Sequence, residues 1–199
     1  MFKSCHLDYS SARPSQQGFT LFITLIMMVI IALLIVTAAQ SYNTEQRIST
    51  NEADRKLAFS LAEAALRKGE HKILEFNGKK VTFGANCTGT IGTIGTKETK
   101  GLCATPEAVV PVENSHIVEI ESAAGHAWER TQDKQLYIDI NGYEVKDIRA
   151  EHVSKRPRYI IEYIGTNLDH GNMIYRVTAK AWGKNNNTVV ILQSYVTDG

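Results

Sequence analysis

The sequence predicts an α+β chain in which one very long N-terminal α-helix carries its second half onto a C-terminal antiparallel β-sheet. Three observations predict it. Phe19 to Ala39 is 21 residues with only Thr20, Thr24 and Thr37 as polar interruptions, and the next charge is Glu45. No proline lies between Pro14 and Pro106, and no glycine between Phe19 and Lys68, so a helix that starts at Phe19 meets no breaker before Gly69. The last third holds three strand-like runs separated by glycine and asparagine turn chemistry.

The first half of the helix has the length of a membrane span. At about 1.5 Å per residue, Phe19–Ala39 reaches across a hydrocarbon core of roughly 30 Å. A buried helix of a soluble domain would keep one polar face, and this one has none. A secretory signal peptide has an apolar region of only about 7–15 residues and a small-residue cleavage site, for which Ala38-Ala39-Gln40 is a poor end. An ordinary signal anchor fits the length but leaves the abrupt Gly18-Phe19 junction unexplained. Lys3 and Arg13 against Asp8 mildly favour a cytoplasmic N-terminus.

From Glu45 onward the helix turns amphipathic. Ala58, Leu61, Ala62, Ala65, Leu66 and Gly69 follow the spacing of one buried face, and their small size lets another layer come close. Glu52/Lys56 and Glu63/Arg67 are i, i+4 pairs in the favourable order, each contributing a few tenths of a kcal/mol on a solvated face. The whole helix would run for about 50–57 residues, or roughly 75–85 Å.

Residues 77–115 read as loop. The stretch GTIGTIGTKETKG, Gly89 to Gly101, has no hydrophobic period and lacks the flanking strand and helix of a dinucleotide fingerprint, so it reads as a surface loop. Gly78-Lys79-Lys80 lacks the rest of a P-loop. Cys87 and Cys103 bracket this loop. If the region lies outside the cytoplasm a disulfide between them is expected, with a stabilisation of roughly 3 kcal/mol; the alternative is two buried thiols.

The C-terminal strands are expected at Tyr159–Ile164, Ile174–Trp182 and Thr188–Val196, with Gly165–Asn172 and Gly183–Asn187 turning the chain. In the middle strand Tyr175, Val177, Ala179 and Ala181 share one face, which leaves Arg176, Thr178, Lys180 and Trp182 for the wet face. Gln135–Ile140 and Tyr143–Ile148 around Asn141-Gly142 read as a hairpin, and His116–Ile120 as a short strand.

Little chemistry is on offer. Charge is balanced, with 22 basic and 21 acidic side chains, so neither a basic arm nor an acidic tail marks a nucleic-acid or acidic partner. No two of the six histidines make a zinc-like i, i+4 pair with a carboxylate, the cysteines are too far apart for Cys-x-x-Cys, and there is no Gly-x-Ser-x-Gly elbow. Glu119 and Glu121 lie two apart in or beside the expected short strand and read as solvated. We expect no enzyme, cofactor, metal or small-molecule substrate. The row Arg176, Lys180 and Trp182 could meet a partner, though nucleic acid is not expected to be that partner.

The Gly18-Phe19 junction, the uncharged span and the continuous amphipathic helix resemble a type IV prepilin. Asp54-Arg55-Lys56-Leu57-Ala58-Phe59 followed by Ala62-Glu63-Ala64-Ala65-Leu66-Arg67 resembles the N-terminal region of PilX/PilK-type minor pilins, and RYIIEYIG with YRVTAKAWGKNNNTVVILQSYV is similar to PilK-like members. The resemblance covers roughly residues 15–75 and 155–197. It implies the type IV pilin fold, with residues 1–18 a leader, 19–42 the transmembrane half of the helix, 43–76 its amphipathic periplasmic half and 77–199 a periplasmic sheet domain with a variable loop region. It further implies cleavage by a prepilin peptidase after Gly18 and N-methylation of Phe19. The implied partners are other minor pilins, the major pilin, the inner membrane and the pilus assembly platform, and the implied location is the inner membrane, then the pilus.

One departure from the family pattern is informative. Major pilins carry a glutamate at the fifth mature position, which is Ile23 here, and a helix-bending proline that this chain lacks. A subunit without that carboxylate cannot neutralise the terminal amine of a subunit above it in an apolar bundle, where an unpaired charge is costly. It suits a place at or near the pilus tip, in an assembly-initiating role. The alternatives are a type II secretion pseudopilin, which would usually carry a large helical insert, and a signal-anchored periplasmic binding protein.

Overall fold

The computed structural model describes residues 18–92, 98–106, 118–148, 153–166 and 172–197. The chain divides into two compact units, the first ending at Ser49 and the second beginning at Thr50. Helix α1, Phe19–Leu74, is 56 residues long and belongs to both.

In the first unit every described residue of α1 is exposed. Its threonine hydroxyls are satisfied within the helix, Thr24 donating to the Leu21 carbonyl and Thr37 to that of Leu34, both at 2.9 Å. That back-bonding lets a hydroxyl sit in an apolar run without an orphaned donor.

In the second unit α1 buries Ala58, Leu61, Ala62, Ala65, Gly69 and Ile73. Gly69 does not break the helix. Its missing side chain serves contact, since a Cβ there would lie 2.5 Å from Cγ1 of Val177 and 3.1 Å from Cδ2 of Tyr159. The helix ends at Leu74, with Phe76 donating to the Ile73 carbonyl at 2.9 Å and Gly78 turning the chain at φ +71°.

The strands are β1 (Val81–Phe83), β2 (Thr88–Ile91), β3 (Glu98–Lys100), β4 (Leu102–Cys103), β5 (Val118–Ile120), β6 (Thr131–Gln132), β7 (Gln135–Leu136), β8 (Tyr143–Glu144), β9 (Arg158–Thr166), β10 (Met173–Trp182) and β11 (Val189–Thr197). A five-stranded sheet has the order β11-β10-β9-β4, with β8 also pairing with β9. A four-stranded sheet has the order β3-β2-β1-β5. The β9-β10-β11 meander is antiparallel, whereas β4 runs parallel to β9 and β5 parallel to β1. The main core lies between α1 and the sheets, with Ala65, Ile73, Phe76, Phe83, Tyr163, Tyr175 and Val177 among its buried members.

Three expectations are corrected. Residues 77–115 are not simply loop: Thr88–Ile91 and Glu98–Lys100 are β2 and β3, which pair with each other, and β2 pairs onward to β1. Threonines can pair their backbone and carry hydroxyls together, as Thr82 and Thr90 do at 2.9 Å, without any hydrophobic alternation to announce a strand. The 135–148 hairpin does not form. Tyr137–Asn141 is a short helix, α2, and β8 pairs with β9. An Asn-Gly hairpin turn needs positive φ at its centre, and Gly142 has φ −61°. Finally, the wet face of β10 is not wet: Arg176, Thr178, Lys180 and Trp182 are all buried.

Candidate functional site

The chemistry of this chain lies in surfaces that must be covered. In α1 the large apolar side chains from Phe19 to Val36 are exposed on all sides, Phe19 at 69% and Ile23 at 41%. Gly18, just before the first helical turn, has nothing within 4 Å of where a Cβ would lie. This is the one described helix long and apolar enough to cross a membrane. An uncharged surface of that kind is stable only against lipid or other apolar helices.

The stripe from Ala58 onward is the second surface. Ala58, Ala62 and Ala65 are fully buried, Leu61 nearly so, and Leu66 packs partly buried against the main core. Leu61 and Ala62 meet Ala181, with Leu57, Val190 and Leu192 beside them. Asp54, one turn before the stripe, binds the turn after β10: its carboxylate accepts the Lys184 N–H at 2.5 Å and the Asn185 N–H at 3.3 Å. A hydrogen bond from Thr188, opposed by partial desolvation and reinforced by those amides, holds its pKa below the ordinary aspartate value.

On the far face of the large sheet, residues 126–141 form a plate, and this explains the burial of the β10 row. Glu162 and Arg176 sit opposite each other on β9 and β10 and form an ion pair at 2.9 Å, with side chains 0% and 3% exposed. Glu162 also accepts the Ala127 N–H at 3.1 Å, and the Arg176 guanidinium lies 4.1 Å from the centre of the Trp128 ring. Burial, the largest single influence, works against the charge on Arg176, but the hydrogen bonds and charges of Glu162 and Tyr195 together outweigh it and the pKa moves up. Lys180 donates to both Asp139 oxygens at 2.7 Å. Arg130 donates to the carbonyls of Ala85 and Ala104 at 2.6 and 2.7 Å, and burial lowers its pKa. A disulfide joins Cys87 to Cys103 in the same layer, packed with Ala127, Ile138 and Ile160. The plate is therefore held to its neighbours by the Ala127–Glu162 hydrogen bond, the Trp128–Arg176 stack, the Asp139–Lys180 ion pair and the Arg130 guanidinium.

Sequence reasoning missed Asp54, Arg130, Asp139 and the Glu162–Arg176 pair. The pair had a signal: a lone glutamate inside Arg158–Gly165 and a lone arginine inside Tyr175–Trp182, both apolar strands joined by a turn. Glu121 is exposed, and its carboxylate also accepts the Ala85 N–H at 2.6 Å. Among the described residues no group of His, Cys, Asp or Glu could hold a metal ion. A cavity of about 720 Å³ between α1 and β8 has two ion pairs in its lining, Lys68 with Asp147 and Lys72 with Glu75.

A long helix, apolar all round at first and then laid by a small-residue stripe on an antiparallel-rich sheet, is the α+β layout of a pilin. Sequence models of two regions match: the PilX N-terminal region over residues 17–67, and the C-terminal region of the type IV pilus assembly protein PilX over residues 94–198. The chain belongs to the PilX family of type IV pilus assembly proteins. It is a minor pilin, a structural protein that works with other pilus components. No match was found among curated proteins or among solved structures.

Proposed function

We propose that this minor pilin is an assembly-initiating subunit placed at or near the pilus tip. In this reading a prepilin peptidase cuts after Gly18 and Phe19 becomes the N-methylated first residue. Residues 19–42 stay in the inner membrane, 43–76 and 77–199 stand in the periplasm, and the protein later moves to the pilus. Its helix packs with the major pilin and other minor pilins at the assembly platform. The observation that carries the tip placement is Ile23: an apolar residue at the fifth mature position gives no carboxylate for the terminal amine of a subunit above.

The test is the mass of the N-terminal peptide from membranes and from sheared pili. A peptide beginning at methylated Phe19 in both fractions is expected. An intact Met1 leader, or a cut near Ala39, would remove the reading.

A further inference from the structure

The outer face of the large sheet carries a second cavity, of about 460 Å³, at the margin of the plate. It is lined by Gln135, Asp139, Glu144, Lys155, Arg156, Arg158 and Trp182. The pairing registers Ile191↔Lys180, Lys180↔Arg158 and Arg158↔Glu144 set these four side chains in one row across β11, β10, β9 and β8. Countercharge is short here. Asp139 is engaged by Lys180, and the single carboxylate of Glu144 serves both Arg156 at 3.0 Å and Arg158 at 3.3 Å. The Lys155 ammonium rests 5.4 Å from the centre of the Trp182 ring, whose other cationic neighbour is Lys180 at 4.9 Å. Three cations thus line the cavity with two carboxylates, one of which is already taken by Lys180, in a chain whose formal net charge is only +1.

We propose that this cavity is a docking pocket for an acidic, apolar-flanked segment of another protein, whose carboxylates engage Lys155 and Arg156. Arg156, with its side chain 51% exposed, offers a planar guanidinium fork and Lys155 an ammonium held over a ring, both accessible to an incoming carboxylate. The volume accommodates side chains rather than a single ion. The shoulder beside it is apolar, because Val189 and Ile191, 41% and 45% exposed, are the register partners of Trp182 and Lys180. That shoulder fits a polypeptide better than a polyphosphate, and the near-neutral chain has no extended basic track for nucleic acid. The pocket does not depend on where along a pilus the subunit sits.

The test uses the full chain in detergent micelles and a fluorescein-labelled peptide Gly-Glu-Phe-Glu-Glu-Phe-Gly. Saturable binding that weakens with salt is expected, falling at least tenfold in a Lys155→Glu/Arg156→Glu variant and much less in Lys184→Glu, a cation of the exposed turn outside the pocket. Lys155→Ala/Arg156→Gln provides a milder change should the reversal disturb folding, and an unchanged melting curve verifies the fold. Equal loss in Lys184→Glu, equal binding of the peptide with glutamine for glutamate, or stronger binding of phosphatidylglycerol vesicles or a single-stranded oligonucleotide than of the peptide would overturn the proposal.

Discussion

Asp54 ties α1 to the turn between β10 and β11 through Lys184 and Asn185, and the fit is close enough that Gly183 tolerates no Cβ beside the carboxylate. Its depressed pKa makes the tie pH-dependent. A carboxylate whose folded pKa lies below its unfolded value of about 3.9 adds stability that is present above that value and lost as pH falls through the folded one. Asp54→Asn should therefore lower the melting temperature at neutral pH, and the gap to the parent should close below about pH 4; a gap that is constant with pH would mean that the charge is not what holds the turn. The buried pair behaves differently. Removing Glu162 leaves the Arg176 guanidinium buried without its carboxylate, so Glu162→Leu should cost about 3–5 kcal/mol in denaturant unfolding, while Glu162→Leu/Arg176→Met should recover much of it. A double variant no better than the single would show that the packing of 126–141, rather than the stranded charge, sets the cost.

At the scale of elements, the contact between α1 and β10 depends on a missing side chain. Gly69→Ala gains about 1 kcal/mol of helix propensity but drives a methyl into Val177, a β-branched residue with little rotamer freedom, and overpacking costs about 1–3 kcal/mol. The expected result is a net loss that Val177→Ala relieves when the two are combined, read as a double-mutant cycle in thermal unfolding. Cys87→Ser/Cys103→Ser should lose roughly 3 kcal/mol, since the bond closes a loop of 16 residues' separation. These elements also mark what the sequence made legible. The breaker-free run from Phe19, the stripe from Ala58 and the three long strands follow from local periodicity, and the structure places the helix at 56 residues and the strands within a residue or two of expectation. The short strands β2 to β4 and the helix α2 carry no period of their own. They exist through partners distant in sequence, such as β4 on β9, and no local pattern encodes that. The burial of Arg176 and Lys180 was hidden for the same reason: alternation along β10 tells which residues share a face, whereas the plate that covers the second face comes from a separate segment.

At the scale of the whole molecule the two units ask for different surroundings. The described part of the first has no buried residue and needs an apolar environment, while the second has its own core, disulfide and ion pairs. A chain so divided can keep its folded sheet while its apolar helix exchanges lipid for neighbouring helices, and what limits the exchange is any charge that the helix must carry or neutralise. Ile23 is the position where that limit is set in the proposed tip role. Ile23→Glu would place a carboxylate one turn into the apolar run, where a following subunit's amine could be neutralised, at a cost in lipid of about 2–3 kcal/mol if it stays unpaired. The expected outcome is a change in how often the subunit occurs along sheared pili, from one end toward the shaft, with processing after Gly18 unchanged. Immunogold counts per pilus and the N-terminal peptide mass read the two quantities separately. Unaltered counts and position in processed Ile23→Glu would refute the tip argument, since neutralisation of the neighbouring amine would then not decide where the subunit sits.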